Sequence, residues 1–160
     1  MKRAALVPLS LCALAFVTCR KDEPAPNLTA LQFPVAVLFE NSSTRLCGEP
    51  AELTTMHTNA IVLNDAPPVA IDSQFRIYSL ERFRSTHGGL WLMANPSGST
   101  EVTFDLKPQK SGRDNARALF AKHLQKQTWQ TDLPELQKSL AAKQTLREMV
   151  AVVQRQPEKN

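Results

Sequence analysis

From residue 31 to about residue 108 the apolar positions alternate with a period of two. In LQFPVAVLFE (31–40), Phe33, Val35, Val37 and Phe39 fall on one side of an extended chain, as in a strand with one buried face. Pro34 has no N–H for a ladder, so this strand starts there or lies on an edge. NSSTRLCGEP (41–50) is a loop by composition. The run AIVL (60–63) predicts a second strand, broken by DAPP (65–68). VAI (69–71) and FRIYSL (75–80) predict further strands, with Asp72 and Ser73 as a turn or bulge between them. THGG (86–89) marks a turn, with Gly88 and Gly89 in a hairpin, before the apolar run LWLM (90–93); NPSG (95–98) marks another. EVTFDL (101–106) puts Val102, Phe104 and Leu106 on one face and Glu101, Thr103 and Asp105 on the other. Successive strands joined by short turns predict an antiparallel sheet with one wet face.

The period then changes. Ala116, Leu119, Phe120 and Leu124 have the spacing of an amphipathic helix from Arg113 on, with Ser111 as a candidate cap. DLPE (132–135) opens a second helix with an Asp cap, an early Pro and a Glu in the capping-box position. Leu136, Leu140, Leu146, Met149, Val150 and Val153 form its apolar stripe, which rotates along the helix. The fold class expected is α+β: an antiparallel β meander or sandwich followed by C-terminal helices.

Ahead of this domain the pattern is that of an export leader. Lys2 and Arg3 precede an uncharged apolar run (4–17), too short for a membrane span, which takes about 20 apolar residues. Two cleavage sites compete. Ala13-Leu14-Ala15 suits ordinary signal peptidase and would leave a chain starting at Phe16. Phe16-Val17-Thr18-Cys19 resembles the bacterial lipobox, with an acyl chain carried on Cys19. The Cys ends the apolar run, charges follow in Arg20-Lys21-Asp22-Glu23, and Pro24-Ala25-Pro26 has the composition of a tether. The expected organisation is a lipoprotein signal peptide (1–18), a lipidated Cys19 with a flexible tether (19–30) and one periplasmic domain (31–157). Cys12 leaves with the leader. If Cys19 is acylated, Cys47 is the one thiol left; if cleavage follows Ala15, Cys19 and Cys47 can pair. That disulfide would close a loop of roughly 28 residues, worth about 3–4 kcal/mol.

The composition excludes several classes. At 42% hydrophobic and 21% charged residues, the chain is neither disordered nor multi-spanning. Its formal charge of +4 shrinks once Lys2 and Arg3 are removed, leaving 17 basic against 15 acidic residues and no reason to expect nucleic-acid binding. Cys47, His57 and His87 offer a thiol and two bases, but nothing in their spacing brings them together, so no catalytic residue is assigned. The three histidines lie 30 or more residues apart, without paired ligand spacing, so no metal and no cofactor is expected. Arg113 and Arg117 share one helix face while Lys122 and Lys126 lie nearly opposite, the arrangement of a solvated helix and not of a phosphate-binding stripe.

NDAPPVAIDSQFRIYSLERF (64–83), PSGSTEVTFDLKP (96–108) and Thr128-Trp129-Gln130 stand in the same order as three motifs of the TssJ (VasD-type) outer-membrane lipoproteins of type VI secretion systems. Together with Cys19 they resemble that family over roughly residues 19–130. Residues 116–124 read as helix where the family has a strand, and the helix from Asp132 is additional. The resemblance implies a transthyretin-like β-sandwich, tethered to the outer membrane, that docks the periplasmic end of an inner-membrane component. Cys19, as lipid attachment site, is the one functional residue it carries over. The expectation is a non-enzymatic lipoprotein, lipid-anchored on the periplasmic face of the outer membrane, that binds an envelope protein. The alternative is a small inhibitor or immunity lipoprotein that neutralises a toxin or hydrolase.

Overall fold

The computed structural model describes residues 26–40, 43–62, 66–127 and 133–154. In chain order the elements are β1 (Val35–Leu38), β2 (Thr44–Cys47), α1 (Pro50–Thr54), β3 (Thr55–His57), α2 (Thr58–Val62), β4 (Val69–Asp72), β5 (Ile77–Ser85), α3 (Gly89–Ala94), β6 (Ser99–Pro108), α4 (Arg113–Gln127), α5 (Leu133–Ala141) and α6 (Leu146–Gln154). The strands form one antiparallel sheet in the order β2-β1-β4-β5-β6-β3. The fold is α+β, a curled antiparallel sheet with its helices concentrated at the C-terminus, as the change of period implies.

Strand β6 follows its alternation: Val102 and Phe104 are buried, Glu101 and Asp105 exposed. Strand β1 starts directly after Pro34, as expected, but lies inside the sheet, paired to β2 and β4. It is buried on both faces. Val35 and Val37 join an inner core with Leu31, Phe39, Tyr78, Leu80, Val102 and Phe104, whereas Ala36 and Leu38 join an outer core under the helices. The wet face thus belongs to β6, β3 and the second half of β5, and not to the whole sheet. The outer core holds Ala116, Phe120 and Leu124 of α4, Leu136 and Leu140 of α5, and Leu146, Met149, Val150 and Val153 of α6.

The sheet curls because β5 is bulged. Its register with β6 shifts between Glu81 and Arg84, and Arg82 sits at a φ of 53°. An extra residue on one strand increases local twist and bends it. The curl brings the outer edges of β2 and β3 face to face.

Four local expectations are corrected. Residues 44–47 are strand, because pairing with β1 outweighs a turn-like composition. The run at 60–63 is not a strand: α2 ends at Val62, and Leu63 lies outside the described residues. LWLM (90–93) lies in helix α3 with Gly88 at its N-cap, since a four-residue apolar run carries no decisive period. The expected last helix is two helices. Asp132 lies outside the described residues, but the second start is plain: the Thr145 N–H and Gln144 N–H donate to Glu148 Oε2 at 3.0 and 2.9 Å, and the Glu148 N–H donates to Thr145 Oγ1 at 3.2 Å. This capping box restarts the chain at α6 and is why the apolar stripe rotates. The two backbone hydrogen bonds also hold the Glu148 carboxyl below its usual pKa.

Ser111 does not cap α4 with its side chain. Its hydroxyl accepts the Ile77 N–H at 3.0 Å and donates to Gln109 O at 3.1 Å, fixing the chain that leaves β6. Nor are Arg113 and Arg117 merely solvated. Arg117 donates to Ala141 O and Lys143 O at 2.8 and 2.9 Å, where α5 ends, and Arg113 donates to Gln144 Oε1 at 2.9 Å. Their shared face clamps the α5–α6 junction.

Candidate functional site

Cys19, the leader and the tether residues before Pro26 lie outside the described residues. The described chain enters at the end of the sheet where β1 and β5 begin. There Leu28 and Leu31 pack on the inner core, the Tyr78 hydroxyl donates to Ala30 O at 3.2 Å, and Ser73 N–H donates to Gln32 O at 3.0 Å.

Cys47 is placed at the end of β2, not in a loop, and its side chain is wholly buried. Burial pushes its thiol up to about 11; the nearby Arg45 pulls the other way and Glu52 adds to the rise. A thiol this basic and inaccessible is a poor nucleophile. His57 and His87 are exposed and neither is hydrogen-bonded to Cys47. His123, by contrast, is buried, with its Nε2 2.8 Å from Thr44 Oγ1. No three His, Cys, Asp or Glu side chains among the described residues are grouped to hold a metal ion. Among them, too, no helix is long and apolar enough to cross a membrane.

The raised thiol has a measurable consequence. A group whose folded pKa lies above its unfolded value contributes stability that is complete below the unfolded value and is lost above it. Between pH 9 and pH 11, Cys47 is therefore expected to withdraw about 2–3 kcal/mol relative to a Cys47→Ala variant. Urea melts of both proteins across that range check this; parallel curves would refute it. A thiol reagent at pH 8 is expected to leave native Cys47 untouched and to label it on unfolding.

Among the described residues, the largest apolar exposure lies at the opposite end of β5. Leu90 and Met93 of α3 are 85% and 70% exposed and Trp91 is 37% exposed, while Val62 of α2 is 50% exposed. Leu92 points inward and seats the helix. Residues 85–100 contain no Asp, Glu, Lys or Arg. Beneath α3 a polar network anchors the tip. Ser85 Oγ and Thr100 Oγ1 are 2.7 Å apart and buried, His87 Nδ1 lies 2.8 Å from Thr100 Oγ1, and the His87 N–H donates to Ser85 Oγ at 2.9 Å. The His87 ring stacks on Trp91 with centroids 4.1 Å apart, fixing the indole. Thr58, fully buried at the start of α2, donates from its N–H and its hydroxyl to Gly98 O at 3.0 and 3.1 Å, tying α2 to the same tip. Large apolar side chains held outward on a rigid, uncharged tip form a surface suited to burial against another molecule. The sequence pattern marks a hairpin turn at 86–89 followed by an apolar run and assigns no site there.

A second feature is the seam between β2 and β3. The strands are not paired. Arg45 bridges them, its Nη1 donating to Thr55 O at 2.6 Å and lying 3.3 Å from Met56 Sδ. Beside this bridge is a cleft of about 430 Å³ lined by residues that include Phe39, Thr44, Arg45, Met56, His57 and Asn59.

No protein-family model, no curated protein and no solved structure matches the chain.

Proposed function

We propose that this chain is a non-enzymatic bacterial lipoprotein, anchored through an acyl chain on Cys19 to the periplasmic face of the outer membrane, that binds a protein partner with its α3 tip. The observation that carries the reading is the separation of tether and tip. The tether enters where β5 begins, and α3 lies beyond the end of β5, a strand of nine residues that spans about 27 Å. An acyl anchor draws the tether end to the bilayer and leaves the uncharged Leu90, Trp91 and Met93 facing the periplasm. Burial of Cys47 supports acylation of Cys19 over a Cys19–Cys47 disulfide, because that bridge would have to enter the inner core. It also argues against an enzyme built on Cys47.

The resemblance to TssJ-type lipoproteins gives this reading its more specific form, a component of a secretion apparatus docking an inner-membrane protein. The exposure of Leu90 and Met93 on α3 also fits a second form, an inhibitor that inserts α3 into the cleft of a toxin or hydrolase.

Intact mass and fractionation test the anchor. An acylated N-terminus at Cys19, recovery with membranes, and release into the soluble fraction on Cys19→Ala are expected; a mature mass starting at Phe16 refutes it. A photo-crosslinker at position 90 tests the tip. It is expected to yield one adduct, lost on Trp91→Ser, with a large inner-membrane protein for the scaffold or a soluble hydrolase for the inhibitor. No adduct from position 90, with efficient crosslinking from the wet face at Asp105, would place the interface elsewhere.

A further inference from the structure

We propose that the end of the domain where the tether enters rests on an anionic phospholipid surface, with Lys110, Arg113, Lys143 and Arg147 against the headgroup phosphates. A line of contacts places these four at one end. The entering chain is fixed at Gln32, whose carbonyl accepts the Ser73 N–H and hydroxyl at 3.0 and 3.1 Å in the β4–β5 turn. Phe75 of the same turn accepts the Gly112 N–H at 2.9 Å and has the Arg113 guanidinium 5.0 Å from its ring centroid. Lys110 stands between Gln109 and Ser111, both hydrogen-bonded to Ile77 at the start of β5. Arg113 in turn donates to Gln144 in the α5–α6 junction, next to Lys143 and just ahead of Arg147.

The acids near this line are already engaged. Asp72 and Asp114 are taken by Arg76 and Arg117. Glu148, with Lys143 beside it, gives one carboxylate oxygen to two backbone N–H groups. Glu49 and Glu52 stand off the line at the start of α1, where Glu52 accepts the Gly48 N–H. Among the described residues no ion pair holds Lys110, Arg113 or Arg147, and all three are exposed. Lys and Arg clustered beside a membrane attachment point attract anionic headgroups, each adding about fivefold to partitioning. The length of the tether commits this face to a bilayer. Cys19 and Pro26 are seven residues apart, so a lipid on Cys19 keeps Pro26 within roughly 25 Å of it. Arg20 and Lys21 are balanced by Asp22 and Glu23, which leaves the attraction to the folded face. The orientation rests on the acyl anchor of the proposed function; the charge of the face does not. Seated this way, the domain turns its charge-free stretch 85–100 away from the membrane.

Vesicle sedimentation tests this with the chain from residue 19 on, carrying Cys19→Ala, so that failure of the anchor and failure of the face are separate results. At 50 mM salt, partitioning onto vesicles of equal phosphatidylglycerol and phosphatidylethanolamine is expected to exceed that onto phosphatidylcholine at least tenfold. Lys110→Glu with Arg147→Glu is expected to abolish most of this preference. Lys122→Glu with Lys126→Glu changes the net charge equally on the far half of α4 and is expected to lose less than threefold. If the first pair unfolds the chain, Lys110→Gln with Arg147→Gln replaces it, against Lys122→Gln with Lys126→Gln. Raising salt to 0.5 M is expected to release the protein, since exposed charges are then screened within a few ångströms. Equal partitioning onto the two kinds of vesicle, equal losses in the two paired variants, or binding that survives 0.5 M salt, as insertion of the α3 tip would, each overturns the assignment.

Discussion

Alanine at position 72 is expected to lower the stability of the domain by about 3–5 kcal/mol. Asp72 is a wholly buried carboxylate at the end of β4 and is fully engaged. Its Oδ1 accepts the N–H groups of Gln74 and Arg76, both at 2.9 Å. Its Oδ2 accepts Arg76 Nε at 2.7 Å, pairs with Arg76 Nη2 at 2.7 Å and accepts the Gln32 N–H at 3.3 Å. These bonds hold the β4–β5 turn, in which Phe75 adopts a φ of 60°, and bind the entering N-terminal segment to it. Truncation strands several backbone donors and a guanidinium together, and each buried unmet donor costs about 1–3 kcal/mol. Against a typical total of about 5–15 kcal/mol, the variant should unfold far earlier in urea. Asp72→Asn keeps the shape but loses the charge, so an intermediate loss is expected. A shift under about 1 kcal/mol for the alanine variant would mean that water replaces these bonds and that the turn does not organise the fold.

Strands β4, β5 and β6 were legible in the sequence, but Asp72 shows how little of the energetics was. The residue reads there as one of two turn formers. Its carboxylate becomes an organising centre only when Gln32, forty residues away, arrives beside it, and no local pattern encodes that meeting. Strand β2 fails to stand out for a related reason: TRLC has no period of its own, and the strand exists because β1 offers an edge. For α3 the difficulty is length. LWLMA between glycine and asparagine satisfies a strand as well as a helix, and the outward face of Leu90 and Met93 appears only once Leu92 is seen to seat the turn. The charge-free stretch 85–100 was the available signal for this tip. The division into α5 and α6 was readable too, in the Thr145-x-x-Glu148 capping box, but the continuous apolar stripe concealed it. Arg45 and the seam had no signal, since the cleft depends on the curl set by the bulge at Arg82.

Phe120→Ala is expected to cost about 3–5 kcal/mol, and the way in which stability is lost carries the structural point. Phe120 is fully buried at the centre of α4, in the outer core with Ile71 and Ile77 of the sheet and Met149 of α6. Removing its ring leaves a cavity that rigid neighbours on a sheet cannot easily close. Leu119, its neighbour in sequence, is only partly buried, so Leu119→Ala should cost much less. The helical layer should not melt by itself in the Phe120→Ala variant. Strand β1 contributes Ala36 and Leu38 to the outer core and Val35 and Val37 to the inner one, and β4 divides Ile71 and Ala70 in the same way. Loosening the helices thus unseats strands on which the inner core also depends. Unfolding followed by far-ultraviolet dichroism and by near-ultraviolet aromatic signals should give coincident transitions, shifted together. Helical signal lost well before the aromatic signal of Tyr78, Phe83 and Phe104 would show instead that the two cores are separable units sharing a strand.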